Sequence, residues 1–173
     1  LIRWIEPPSP HPRRFLLAAI QLWLATDDQV YRQVFDDPEV AAAFSDEVAH
    51  FAGRNSTFDI AAVARHPDLF PDGWGEQAHA AIIEAADEAA SSAEEHAYRR
   101  LHPAPSSDTY TFWVMAWGSH HGGRQARALL SAWALTGDQV YRDPLNYLLD
   151  WFQGANPQGR AYTTGLGHYS TAN

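Results

Sequence analysis

The sequence predicts an all-α protein built from helical hairpins, and three observations predict it. The first is an internal repeat. Trp23-Leu24-Ala25-Thr26-Asp27-Asp28-Gln29-Val30-Tyr31-Arg32 returns as Trp133-Ala134-Leu135-Thr136-Gly137-Asp138-Gln139-Val140-Tyr141-Arg142. Each copy reads as a helix end, a Thr-(Asp/Gly)-Asp turn, and a second helix that opens with an aromatic-basic pair. Such units cannot bury an apolar face alone, so they stack, and hairpins arranged around a ring are the expected result. The second observation is helical spacing of apolar residues at Phe15, Leu16, Ala19, Ile20, Trp23 and Leu24, and again at Leu145, Leu148, Leu149 and Phe152. The third is the alanine-rich, helix-favouring stretch between Glu76 and Arg100.

In order, Leu1 to Glu6 is a short apolar piece, and Pro7, Pro8, Pro10 and Pro12 make an extended linker. A first helix is expected from Arg13 to Ala25. Asp28 is placed to cap a short helix from Gln29 to Phe35, because a carboxylate there accepts from an unpaired backbone N–H. Asp36-Asp37-Pro38 starts the next helix, with proline in its first turn, running to Ala52. Gly53-Arg54-Asn55-Ser56 reads as a turn. Thr57 caps a short helix to Ala64, which His66-Pro67 ends, and Leu69 to Gly75 is a loop. The longest helix is expected from Glu76 to Arg100, with Glu84, Asp87, Glu88, Glu94 and Glu95 on a solvated side. Residues 102–107 form a loop, and Thr109 to Trp117 fits a strand or a helix. Gly118-Ser119-His120-His121-Gly122-Gly123 is a glycine-rich turn. Helices from Arg124 to Leu135 and from Gln139 to Phe152 follow, and Gly154 and Pro157 stop the last of them.

Beyond that stop, glycines at 154, 159, 165 and 167 punctuate Arg160, Tyr162, Thr163, Thr164, His168 and Tyr169. Glycine lets the backbone reach positive φ or approach a neighbour closely. Two readings of the stretch stand side by side: a rigid turn tying helices together, or a cavity wall.

Composition narrows the function classes. Hydrophobic residues are 46% of the 173, so the chain is globular and long enough to build a core. Lys plus Arg number 12 against 21 Asp plus Glu, a net charge of -9, which disfavours a nucleic-acid partner and suits a neutral ligand. Seven tryptophans fit sugar stacking and an aromatic core equally. With no cysteine, disulfides, thiolate metal sites and a cysteine nucleophile are excluded, and the compartment is left open. No apolar run is long enough to span a membrane. No nucleotide-binding, serine-hydrolase or zinc-protease motif occurs. His120 and His121 are adjacent and His168 is distant in sequence. No His-x-x-x-His pair completes a site, so neither a metal nor a cofactor is expected. Leu1 and Asn173 both read as cuts within a larger protein.

One run carries a family resemblance. Asn156-Pro157-Gln158-Gly159-Arg160-Ala161-Tyr162-Thr163-Thr164-Gly165-Leu166-Gly167 resembles the Asn-Pro-x-Gly-Arg-Ser-Phe-Val-Thr-Gly-Phe-Gly run of glycoside hydrolase family 9. That family contains cellulases and related exo-acting enzymes. The preceding Leu-Leu-Asp-Trp-Phe-x-Gly-Ala stretch is similar to the family's Leu-Asp-Tyr-x-Leu-Gly helix end. Ala161, Thr163 and Leu166 depart from the usual serine, valine and phenylalanine. Gly165-Leu166-Gly167-His168 looks closer to the branch that trims cello- or chito-oligosaccharide ends.

The resemblance implies part of an (α/α)6 toroid, and an inverting hydrolase of β-linked glucan or glucosamine oligosaccharides. It implies that Trp117, in a Trp-Gly-Ser stretch with Ser119, lines the sugar cleft, with His120 and His121 more loosely beside it. Arg160 either holds the loop or reaches the sugar, and His168 and Tyr169 are expected to face the cleft. Inversion requires an acid and a base on opposite faces of the sugar. The family's base lies in an Asp-Ala-Gly-Asp motif near the N-terminus of the domain, and its acid is a glutamate near the C-terminus. Neither stretch occurs here, so no catalytic residue is assigned. Residues 1–173 are expected to be a partial catalytic domain, whose partners are an oligosaccharide and the remainder of that domain. The alternative is a non-catalytic helical-repeat protein that binds carbohydrate or peptide.

Overall fold

A computed structural model describes residues 12–51, 57–95, 122–155 and 159–161. Among them the protein is all-α, as expected: α1 (Pro12–Thr26), α2 (Gln29–Arg32), α3 (Pro38–Ala49), α4 (Thr57–Arg65), α5 (Trp74–Glu95), α6 (Gly122–Thr136) and α7 (Gln139–Gln153). A 3-10 turn at Gln33–Asp36 extends α2, and another at Pro67–Leu69 follows α4. The expected turn at residues 53–56 and the undecided stretch at 109–117 lie outside the described residues. The chain divides into two compact units, residues 1–81 and 82–173.

The sequence repeat is a repeat of geometry. Thr26 Oγ1 donates to the Leu22 carbonyl at 2.7 Å, and Thr136 Oγ1 to the Ala132 carbonyl at 2.9 Å. Each hydroxyl then accepts from the backbone N–H two residues on, Asp28 at 3.3 Å and Asp138 at 3.1 Å. Asp28 and Asp138 in turn cap the next helix, accepting from Val30 and Val140 N–H at 3.1 Å in both copies. These bonds satisfy orphan groups at the end of one helix and the start of the next.

The middle residue of each turn has positive φ, +53° at Asp27 and +74° at Gly137. A Cβ on Gly137 would meet nothing within 4 Å, so a substitution there is opposed by backbone strain alone. Gly137→Ala should therefore cost about 1 kcal/mol in thermal unfolding. Gly137→Asp should cost less, because aspartate already occupies the equivalent place in the first turn.

In the first unit, α1 packs on α3 and α4. Its buried residues Leu16, Ala19, Ile20 and Trp23 are the predicted helical stripe. The Trp23 indole N–H donates to the Leu69 carbonyl at 3.0 Å, tying α1 to the second 3-10 turn. Asp37 caps α3 by accepting from Glu39 N–H at 2.8 Å, and Pro38 fills the first position. Helix α5 begins at Trp74, inside the stretch expected to be loop. Burial explains the early start: Trp74 stacks on Phe44 with ring centroids 3.9 Å apart and meets Phe35 at 5.6 Å. Gly75 is also required there, since a Cβ would stand 2.4 Å from Pro67 Cβ.

In the second unit, Ile82, Ala85, Ala86, Ala89, Ala90 and Ala93 form the buried side of α5. Glu84, Asp87, Glu88, Glu94 and Glu95 are exposed, as expected. Helices α6 and α7 pack as a hairpin across the two-residue turn. Arg142 lies over the Trp133 ring at 5.5 Å, a cation–π contact within the hairpin. Tyr141 is buried and donates its hydroxyl proton to Asp87 Oδ1 at 2.8 Å. Burial and that carboxylate push the phenol up to about 12. Pro144 sits inside α7, and the helix continues through it to Gln153.

Candidate functional site

The glycine-punctuated tail begins where α7 ends. Ala155 N–H donates to the Asp150 carbonyl at 2.9 Å and Gly154 N–H to the Trp151 carbonyl at 3.4 Å. This is a Schellman closure, which uses a glycine to turn the chain off the helix. Gly154 has φ +127° and ψ -6°, a conformation that L side chains rarely adopt. A Cβ on Gly154 would lie 3.9 Å from Gly159 O, Arg160 C and Ala161 N. The backbone of residues 159–161 therefore lies against the end of α7. Gly159 has φ +59°, Arg160 is exposed, and Ala161 is buried at 5% exposure. The buried Ala161 pins the backbone beside an exposed Arg160.

Of the residues singled out by sequence, Arg160 is the one the structure places. Trp117, Ser119, His120, His121, His168 and Tyr169 lie outside the described residues. Tyr147 and Trp151 are half-buried on α7 just before the tail. They are four residues apart and so share a helix face.

A second polar constellation lies in the first unit. Glu47 is buried at 1% exposure and pairs with the Arg13 guanidinium. It sits seven residues after Val40 and three after Phe44, on the stripe that α3 buries. A charge on an apolar stripe was the sequence signal for a buried ion pair. Asp59 of α4 accepts from Gln21 Nε2 of α1 at 2.6 Å. Burial raises the Asp59 carboxyl above its ordinary value, the Gln21 hydrogen bond opposes the rise, and the charge of Glu47 adds to it. The half-buried Asp59 thus lies within electrostatic reach of the buried Glu47. Glu47, held by arginine and closed to solvent, has no access to a substrate.

The Asp59 shift sets a pH dependence. A raised folded-state pKa means that the folded protein holds the proton more tightly than the unfolded chain. The favourable contribution is full below the ordinary value of 3.8 and is lost as pH rises through the raised folded value. At neutral pH ionised Asp59 opposes folding. Asp59→Asn should raise the thermal midpoint at pH 7 and flatten the stability profile as pH rises above 3.8, while its amide oxygen still accepts from Gln21. A midpoint lowered at pH 7 would contradict the assignment.

Among the described residues no three His, Cys, Asp or Glu side chains gather as a metal site. No helix of the described residues is long and apolar enough to cross a membrane. In comparison with known proteins, the family model described as glycosyl hydrolase family 9 matches residues 13–173. No curated protein and no solved structure matches the chain.

Proposed function

The chain belongs to glycosyl hydrolase family 9, and from that premise we propose that residues 1–173 are part of an (α/α)6 catalytic domain. This domain hydrolyses β-linked glucan or glucosamine oligosaccharides with inversion, and the present chain forms part of its sugar-binding cleft. The observation that carries the reading is the family match running through the tail in which Arg160 is exposed, backed against the end of α7. Stacked hairpins with a repeated turn are the kind of unit from which a helical toroid is made.

In this reading Trp117 stacks on a sugar ring. Ser119, His120, His121, His168 and Tyr169 exchange hydrogen bonds with hydroxyls, and Arg160 donates to ring or hydroxyl oxygens through its planar fork. Inversion needs two carboxyl groups roughly 6.5–9.5 Å apart with a water between one of them and the sugar. No Asp or Glu of this chain is given either role. The acid and the base belong to the remainder of the domain.

The test is titration of the 173-residue chain with cellohexaose and with chitosan hexasaccharide, followed by tryptophan fluorescence, beside a hydrolysis assay. Saturable binding without turnover is expected. Arg160→Ala should weaken binding by about tenfold, the loss of one charge-assisted hydrogen bond. Measurable turnover by these residues alone would overturn the division of labour. Absence of saturable binding to either oligosaccharide would remove the cleft assignment.

A further inference from the structure

We infer that Gly154 is the positioning residue for Arg160: its backbone conformation lays residues 159–161 against the end of α7 and so fixes where the guanidinium emerges. The functional part of this inference rests on the reading that Arg160 faces the sugar. The geometric part stands on the structure. Gly154 does more than end a helix. A helix can be closed by any residue that tolerates the left-handed region near φ +57°, and Gly159 at +59° is such a position. Gly154 at φ +127° is outside that region, in a conformation that L side chains rarely adopt.

The same residue has the returning chain at van der Waals distance, with three backbone atoms of Gly159, Arg160 and Ala161 at 3.9 Å from its Cβ position. The space for a methyl group is there, so the requirement for glycine comes from the backbone angle. A side chain at 154 would drive φ to another value, swing the exit from α7, and separate the 159–161 backbone from the helix end. Ala161, buried at 5% exposure, is the anchor that this swing would pull out. Gly137 provides the internal control. It also has positive φ, at +74°, and sits at a helix junction, yet a Cβ there meets nothing within 4 Å.

The experiment compares Gly154→Ala and Gly137→Ala in the same 173-residue chain, reading the Arg160 Nε–Hε resonance and the rate of trypsin cleavage after Arg160. Both variants are expected to lose some stability. Gly154→Ala alone should move the Arg160 resonance and speed cleavage at that site. A semisynthetic chain with D-alanine at 154, whose mirror-image preference suits positive φ, should restore both signals to those of the wild type. If Gly154→Ala does not fold, Gly154→Asn carries the same comparison. A folded Gly154 variant with unchanged Arg160 signals would overturn the inference, and so would equal changes in both glycine variants. With cellohexaose, Gly154→Ala should match the roughly tenfold weakening of Arg160→Ala. If the Arg160 signals move as expected in Gly154→Ala while the wild-type chain binds no oligosaccharide, Gly154 stands as the positioning residue and the sugar-binding reading is rejected.

Discussion

Phe44→Ala is expected to destabilise the first unit by about 3–5 kcal/mol, the range for removing a fully buried aromatic ring. Phe44 is at 0% exposure and lies flat on Trp74, with ring centroids 3.9 Å apart and planes 2° from parallel. Trp74 meets Phe35 at 5.6 Å, and Phe35 meets Phe70 at 5.4 Å. These four rings join α3, the 3-10 turn after α2, the loop after α4 and the start of α5. Alanine at 44 removes the ring on which Trp74 stacks, and a close-packed interior collapses only partly into the space. Urea unfolding followed by circular dichroism measures the total loss. Hydrogen exchange should place it in the α1 and α3 amides and not in α6 or α7. Phe44→Leu, which keeps much of the volume, should cost less than half as much. A loss under 1 kcal/mol for the alanine variant would mean that the rings do not form a shared core.

Arg13→Met should cost about 3 kcal/mol, because it takes a guanidinium partner from a carboxylate that remains buried. The expected value is at the low end for such a change, since the Arg13 side chain keeps 37% of its exposure and Glu47 only 1%. The double variant Arg13→Met with Glu47→Met should recover most of the loss. Replacing both charges by apolar groups of similar length removes the desolvation cost together with the attraction. A double-mutant cycle in urea checks this. If the double variant is as unstable as the single one, the pair is holding α1 to α3 by geometry that methionines cannot reproduce, and the desolvation argument fails.

Much of the fold was legible because its signals are local. Asp28 was read as a cap from its type and spacing and caps α2; Asp37, read as part of a helix start, and Asp138, read as part of the repeated turn, cap α3 and α7. The duplicated turn was legible for the same reason. Its bonds run between residues two and four apart, and every side chain that makes them lies inside the ten-residue match. The end of α7 at Gly154 was legible too. Elsewhere a distant neighbour decided the outcome. Leu69 to Gly75 has two prolines nearby and two glycines, which locally favour a loop. Yet α5 starts inside it, because Trp74 has Phe44 and Phe35 to bury against. At the candidate site, the need for glycines around Arg160 was visible, and the approach of the 159–161 backbone to Gly154 was not.

The sequence by itself determined the all-α class, the repeated helix–turn–helix unit, the capping aspartates and the family, since all of these are written in residue type and short spacing. Only the tertiary structure decided that Glu47 is buried against Arg13, 34 residues away, and that Asp59 meets Gln21 across 38. Only the tertiary structure decided that Arg160 emerges beside the end of α7. Contacts of that kind depend on which faces helices turn to each other, and on the cost of burying charge between them, neither of which spacing along the chain encodes.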